Sequence, residues 1–288
     1  MQEHYGITLA PITIRRITEG HAQRMHEKLQ RITTYPDKPG FDCIIAELDG
    51  SMIPIVETNN EVADKRKGKK LSWKEARLAL AHEKGSVTPK ISVVFQKSVD
   101  QAGEAMFDCA RRSGLGQDSY VHAIGDGAPW IANQVYKQFG ANGHYLIDFY
   151  HTCDYLSSAA ASIAENPTTW LEKHKTMLKN GEIDGVMEVL KANLEAPDVK
   201  EKDAPVRACH RYLINRYNQL DYQGAIAKGL PIGSGEVESA HRYVIQERLK
   251  KAGAWWSPCN AEFMLALREV RVNHGWISYW NELFASVC

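Results

Sequence analysis

Residues 41–50 read Phe-Asp-Cys-Ile-Ile-Ala-Glu-Leu-Asp-Gly. Cys43, Ile44, Ile45, Ala46 and Leu48 leave almost no polar alternation, the pattern of a strand buried on both faces. Two further apolar runs, residues 52–56 and 90–95, are expected to be the second and third strands of a meander that this one begins. Residues 102–112 have amphipathic helical spacing, closed by Ser113 and Gly114. Residues 120–127 repeat the first pattern, an apolar strand running into an acid. Ala128-Pro129-Trp130 then opens a helix to Phe139, with proline near the first turn, where its missing N–H costs least. Residues 144–151 read as a fifth strand with a polar end. From Cys153 to about Tyr222 the spacing is wholly helical, through Leu156, Ala159, Ala160, Ile163, Ile183, Val186, Met187, Leu190 and Leu194. A Gly-Ser-Gly break at residues 233–235 starts another helix that continues to Gly253. Residues 263–284 form a last one, with Trp276, Tyr279, Trp280 and Leu283 on one stripe. Residues 1–40 are read as mostly helical, ending in a Pro- and Gly-rich linker at residues 35–40.

Composition narrows the class. With 288 residues, 44% of them hydrophobic, the chain can bury one large core or two modest ones. Thirty-five basic residues balance 35 acidic ones, so any surface for nucleic acid must be local. The six cysteines are scattered without a C-x-x-C pair, which fits free thiols in a reducing cytosol better than disulfides or a zinc ribbon. No charged-then-apolar leader and no apolar run of about 18 residues is present, so neither secretion nor membrane insertion is expected.

The acids carry the candidate chemistry. An unpaired buried charge is costly, so a central strand ending in Asp49 is expected to open into a site. Asp126 stands between Gly125 and Gly127 at the end of the second such strand, where glycines permit close approach of a ligand to the backbone. If the two strands are neighbours ending on one sheet edge, Asp49 and Asp126 converge. A third acid follows the Gly-Ser-Gly break. Glu236 and Glu238 differ in direction by about 200° on a helix, so only one of them can join the same site. Glu238 shares its expected face with His241, Arg242 and Ile245, whereas Glu236 sits nearer the turn, as an ordinary helix-start charge does. Three carboxylates without a zinc-type Cys/His cluster suit magnesium or manganese. Two such ions about 3.5–4 Å apart can activate a water or 3′-hydroxyl and stabilise the leaving oxygen in phosphoryl transfer. Three meandering strands, a helix, a strand, a helix and a fifth strand, with acids ending the first and fourth, give a ribonuclease H-like arrangement. The densest basic run, Lys65, Arg66, Lys67, Lys69 and Lys70 beside Trp73, is a candidate phosphate contact or else a solvated loop. Arg242, Arg248 and Lys250 on the last catalytic helix extend the candidate path. Arg15 and Arg16 read as a phosphate contact or, more plainly, a solvated helix face.

Four segments also carry a family resemblance: Leu48-Asp49-Gly50-Ser51, residues 125–131, Asp148-Phe149-Tyr150-His151, and residues 233–240 with Arg248-Leu249-Lys250 and Trp256-Ser257. In this order they resemble bacterial insertion-sequence DDE transposases of the ISKra type, more distantly similar to ISLre-type and Mutator-like enzymes. The resemblance implies an α/β, ribonuclease H-like fold: a mixed five-stranded sheet with flanking helices, interrupted by an all-helical insertion before the last catalytic helix. It implies Asp49, Asp126 and Glu238 as the metal-binding triad, the last at the family's Val-Glu-Ser position, with His151 near the site and two magnesium or manganese ions. Expected divisions are residues 1–40, the last helices of a DNA-binding region that is longer in relatives; 41–151, the first part of the core; 152–229, the insertion; and 230–288, the last catalytic helix and the C-terminal helix. The implied activity is cleavage and transfer of double-stranded DNA by a nucleoid-associated cytoplasmic homo-oligomer, with no membrane partner. Alternatives are a derivative that binds DNA or a partner without cutting, and a ribonuclease H-like nuclease.

Overall fold

The computed structural model describes residues 6–59, 61, 64 and 67–285. Its centre is a five-stranded mixed sheet of order β3-β2-β1-β4-β5. β1 (Cys43–Thr58) pairs antiparallel with β2 (Lys69–Glu83) along its whole length, from Ile44↔Glu83 to Thr58↔Lys69. β3 (Lys90–Phe95) continues antiparallel on β2, while β4 (Tyr120–Gly125) and β5 (Gly143–Ile147) add in parallel on the other side. Five strands were expected, but not these five. Residues 52–56 are the outer half of β1, because Gly50 and Ser51 stay in the ladder opposite Arg77 and Ala76 instead of turning. The true second strand contains Lys69, Lys70 and Lys74 of the expected basic loop. The fifth strand stops at Ile147 and a helix starts at Phe149, so His151 lies on a first helical turn and not at a strand end.

Helices α1 (Pro11–Lys28), α2 (Val99–Arg112) and α3 (Pro129–Phe139) flank the sheet. Ser98 caps α2 in a reciprocal arrangement with Gln101, satisfying two otherwise free donors. Ala102, Ala105, Met106 and Cys109 of α2 and Ile131 and Val135 of α3 bury Ile44, Ala46 and Leu48 of β1. The same core runs without a break into the helical block, α4 (Phe149–Ile163), α5 (Pro167–Lys179), α6 (Ile183–Ala192), α7 (Pro205–Ile214) and α8 (Tyr222–Ala227), through Leu156, Leu178, Val186, Leu190, Leu213 and Tyr222.

A second core lies on the opposite face. There α9 (Gly235–Ala240) continues through a π-helical turn, His241–Gln246, into a last turn, Glu247–Leu249. α10 (Pro258–Val272) and α11 (Trp276–Ala285) follow; the single helix expected over residues 263–284 breaks at Asn273, His274 and Gly275, with His274 at φ +60°. Val237, Val244, Ile245 and Leu265 pack on Ile53, Ile55, Leu78 and Leu80 together with Ala22 and Met25 of α1. The outer edge of β3 is covered by side chains: Asn273 exchanges hydrogen bonds with Ile91 N–H and C=O, and buried Glu269 accepts from Val93 N–H and Ser92 Oγ. Capping an edge in this way blocks pairing with another chain. Among the described residues no helix is long and apolar enough to cross a membrane.

Candidate active site

Strand register aligns the acids. β1 and β4 pair in parallel from Cys43↔Tyr120 to Glu47↔Ile124, so two residues further on Asp49 stands level with Asp126. β4 and β5 pair up to Gly125↔Ile147, so the next step sets Asp126 level with Asp148, whose N–H donates to Gly125 C=O at 2.8 Å. Three carboxylate residues thus follow one another across the carboxyl ends of three neighbouring parallel strands. Crevices outside such ends are where open α/β sheets bind ligands.

Each acid is held differently. Asp49 Oδ1 accepts the Gly50 N–H at 2.7 Å, and its Oδ2 lies 3.3 Å from Nε2 of His241. His241 is 3% exposed, and neither ring nitrogen makes a hydrogen bond. Asp126 is exposed, and its Oδ1 accepts the Ala128 N–H at 2.8 Å, leading the chain into α3. The turn behind it is fixed from the helical block: Tyr212 Oη donates to Asp126 C=O and Arg216 Nε to Gly127 C=O. Gly127 has φ +85°, and a Cβ there would lie 2.5 Å from Tyr212 Oη, so glycine is required on both counts. Asp148 is buried; Oδ1 accepts His151 N–H, and Oδ2 accepts both Ser234 N–H (2.5 Å) and Ser234 Oγ–H (2.6 Å). It therefore clamps the Gly-Ser-Gly turn that starts α9.

Two further acids lie with Asp148 in a cleft whose lining does not include Asp49 or Asp126. Glu47, on the Asp49 face of β1, is 1% exposed and accepts the Val237 N–H at 2.7 Å. Burial pushes its carboxyl up to about 8, against the Val237 hydrogen bond and with added repulsion from Glu236. Glu236 Oε2 lies 3.1 Å from Nε2 of buried His82. Burial pulls the His82 imidazolium down, but Glu236, the Glu83 carbonyl and Glu47 together hold it above the ordinary histidine range. Glu47, Asp148, Tyr150, Glu236 and Glu238 line one open cleft, with the Glu238 side chain in solvent. The expected shared face of Glu238, His241, Arg242 and Ile245 divides: His241 and Ile245 are buried, while Glu238 and Arg242 are exposed. The π turn that begins at His241 alters the spacing only from there to Ile245 and Gln246.

His151 has Tyr155 and Tyr212 as ring neighbours, edge-on at 5.7 and 6.0 Å. Of the basic candidates, Lys65 and Arg66 lie outside the described residues; Lys67 is in the turn before β2, and Lys69 and Lys70 begin that strand. Arg242 and Arg248 are exposed. Lys250 donates to Ser51 Oγ at 2.7 Å, and burial lowers its ammonium against the pull of Asp49. Glu47, His82, Asp148 and His241 were not singled out from the sequence as site residues.

A family model matches residues 116–279, more than half of the chain. The chain belongs to the uncharacterised protein family UPF0236. Comparison with curated proteins and with solved structures gives no match. The UPF0236 match spans Asp126, Asp148, Glu238 and His241, and Asp49 lies before it. Among the described residues of this UPF0236 chain, no three His, Cys, Asp or Glu side chains stand close enough as placed to hold one ion. The donor chemistry is nonetheless that of a hard cation: carboxylate oxygens, two of them register-aligned, beside a buried imidazole without a hydrogen bond.

Proposed function

We propose that this protein is a DDE-type DNA transposase, a polynucleotidyl transferase on a ribonuclease H-like core, in which Asp49, Asp126 and Glu238 hold divalent magnesium or manganese. The observation that carries the reading is the register alignment of Asp49 with Asp126 on adjacent parallel strands, with the helix that carries Glu238 and His241 packed over the first of them. An antiparallel β1–β2–β3 meander on one side of β1, with β4 and β5 added in parallel on the other, supports the core assignment. UPF0236 is often associated with transposase-like proteins, and the ISKra resemblance remains the finer form of the same proposal. When bound, the ions would polarise the phosphoryl oxygens and lower the pKa of an attacking water or 3′-hydroxyl. The chain's own residues do the rest. His241 orients Asp49, Tyr212 and Arg216 fix the turn that aims Asp126, and Asp148 and Glu47 seat the helix that presents Glu238. His151, in the first turn of α4, adds to positioning, and exposed basic groups including Arg242 and Arg248 meet phosphate. Double-stranded element ends are the substrate, held by more than one copy of the chain.

The test is magnesium- or manganese-dependent nicking of supercoiled DNA, followed by joining of 3′ ends. Asp49→Asn, Asp126→Asn and Glu238→Gln are each expected to lose at least about 10²-fold in rate, the cost of deleting one charge-stabilising group. Glu236→Gln should keep most of the activity. Full cleavage by any of the three variants would remove that residue from the triad.

A further inference from the structure

The β1–β2 hairpin projects past Ser51, and its outer end holds large apolar side chains in solvent: Trp73 is 55% exposed, Leu71 54% and Met52 45%. Residues 250–257 lie against this end. Trp256 N–H donates to Pro54 C=O at 3.2 Å and Val56 N–H to Trp256 C=O at 2.8 Å, which adds a short parallel bridge to β1. The Trp256 indole packs against the second core and donates to Leu249 C=O. Its neighbour Trp255 stays 39% exposed and meets Trp73 edge-on at 6.2 Å. Burying an indole is worth more than burying most side chains, so a pair left in solvent beside a well-packed core calls for a ligand.

The charge around the pair identifies its class. Lys69, Lys70 and Lys74 of β2, and Arg248 and Lys251 beyond the π turn, have no carboxylate ion-pair partner among the described residues. Arg248 lies over the Trp256 ring at 4.8 Å. Glu57 faces Lys70 across the hairpin, and Glu75 is already engaged by Arg77. Lys69 shares the Trp73 face of β2, Lys70 and Lys74 project from its other face, and Arg248 lies on Trp256 next to Trp255, so cations stand on both faces of the hairpin end that carries the indoles. A polyanion with flat apolar faces matches both features. Duplex DNA offers phosphates but hides its base faces, whereas a single strand offers both.

We propose that this end of the molecule is a platform for single-stranded DNA, with Trp73 and Trp255 stacking on unpaired bases and Lys69, Lys70, Lys74 and Arg248 holding the adjacent phosphates. The inference rests on DNA being the substrate. Lys250 contacts Ser51, two residues along β1 from Asp49, on the face of the hairpin opposite Trp73.

The test uses the full chain with chelator present, so that no cutting occurs, and follows the anisotropy of labelled oligo(dT) and of the corresponding dT·dA duplex. Wild type is expected to bind the single strand more tightly. Trp73→Ala and Trp255→Ala should each weaken single-strand binding by about 5- to 100-fold, the worth of one stacked base, and leave duplex binding nearly unchanged. Trp73→Phe and Trp255→Phe should keep most of the affinity, which separates stacking from a folding defect. Replacing Lys69 and Lys74 by alanine should flatten the salt dependence for both ligands. Single-strand affinity unaffected by either Trp→Ala change, or duplex affinity falling equally, would overturn the platform. Metal-dependent cleavage is scored separately: its absence with stacking intact rejects the transposase reading alone, and its presence with Trp-independent binding rejects the platform alone.

Discussion

Glu47 has Asp49 as its next same-face neighbour on β1 and the Val237 N–H as its donor, in a position 1% exposed. With its carboxyl raised from 4.5 to about 8, it is largely neutral at pH 7. A raised folded pKa means that the contribution to stability is complete below the unfolded value and is lost as pH climbs through the folded one. In metal-free buffer Glu47→Gln, which keeps a hydrogen-bond acceptor for Val237, should match wild type near pH 5. It should be the more stable protein at pH 9, by up to roughly 3–5 kcal/mol. Parallel melting-temperature profiles for the two proteins from pH 5 to 9 would show that Glu47 is ionised throughout. At this scale the sequence was informative about Asp49 and Asp126, because an acid beside glycine at the end of an apolar run announces itself locally. Glu47 and Asp148 gave no such signal. What they satisfy, Val237 N–H and Ser234, lies 190 and 86 residues away in the chain.

Among the elements, α9 depends on a carboxylate it does not contain. Asp148 Oδ2 accepts from both Ser234 N–H and Ser234 Oγ–H, and an amide cannot accept from Ser234 and His151 together. Asp148→Asn should therefore destabilise the fold by about 1–3 kcal/mol, the cost of leaving buried donors unpaired, and Ser234→Ala by about 1 kcal/mol. Urea denaturation of the three proteins measures both; an Asp148→Asn midpoint equal to wild type would mean that the clamp does not hold α9. The helical block from Phe149 to Ala227 was legible from spacing alone, since Leu156, Val186 and Leu190 recur at helical intervals and are fully buried. β2 was not. Its inner half, Ala-Arg-Leu-Ala-Leu-Ala-His-Glu, has strong helix formers, and only pairing with β1 and β3 makes it a strand.

Across the whole molecule, one sheet separates two cores, and α1 belongs to the second. Met25 is 1% exposed and shares that core with Leu78, Ile91 and Leu265. Met25→Ala should cost about 2–5 kcal/mol and shift the unfolding of the sheet and α1 together. A variant in which α1 melts first, leaving the sheet transition in place, would make α1 an appended unit. Composition gave the balance of charge but not its distribution, because Trp73 with Lys69 and Trp255 with Arg248 come from segments far apart in sequence.

The π turn at His241–Gln246 lies between the site and that cationic end. A π turn closes its hydrogen bonds one residue later than an α turn and so takes up one extra residue. Deleting one residue there would restore ordinary pitch and leave the turns on either side in phase, with Leu249 still in the core, Lys250 on Ser51 and Trp256 on Pro54 and Val56. Deleting one residue from the α-helical turn before it, Gly235–Ala240, would instead rotate Glu238 against everything beyond by about 100°: the stretch can lose a residue at the bulge and nowhere else.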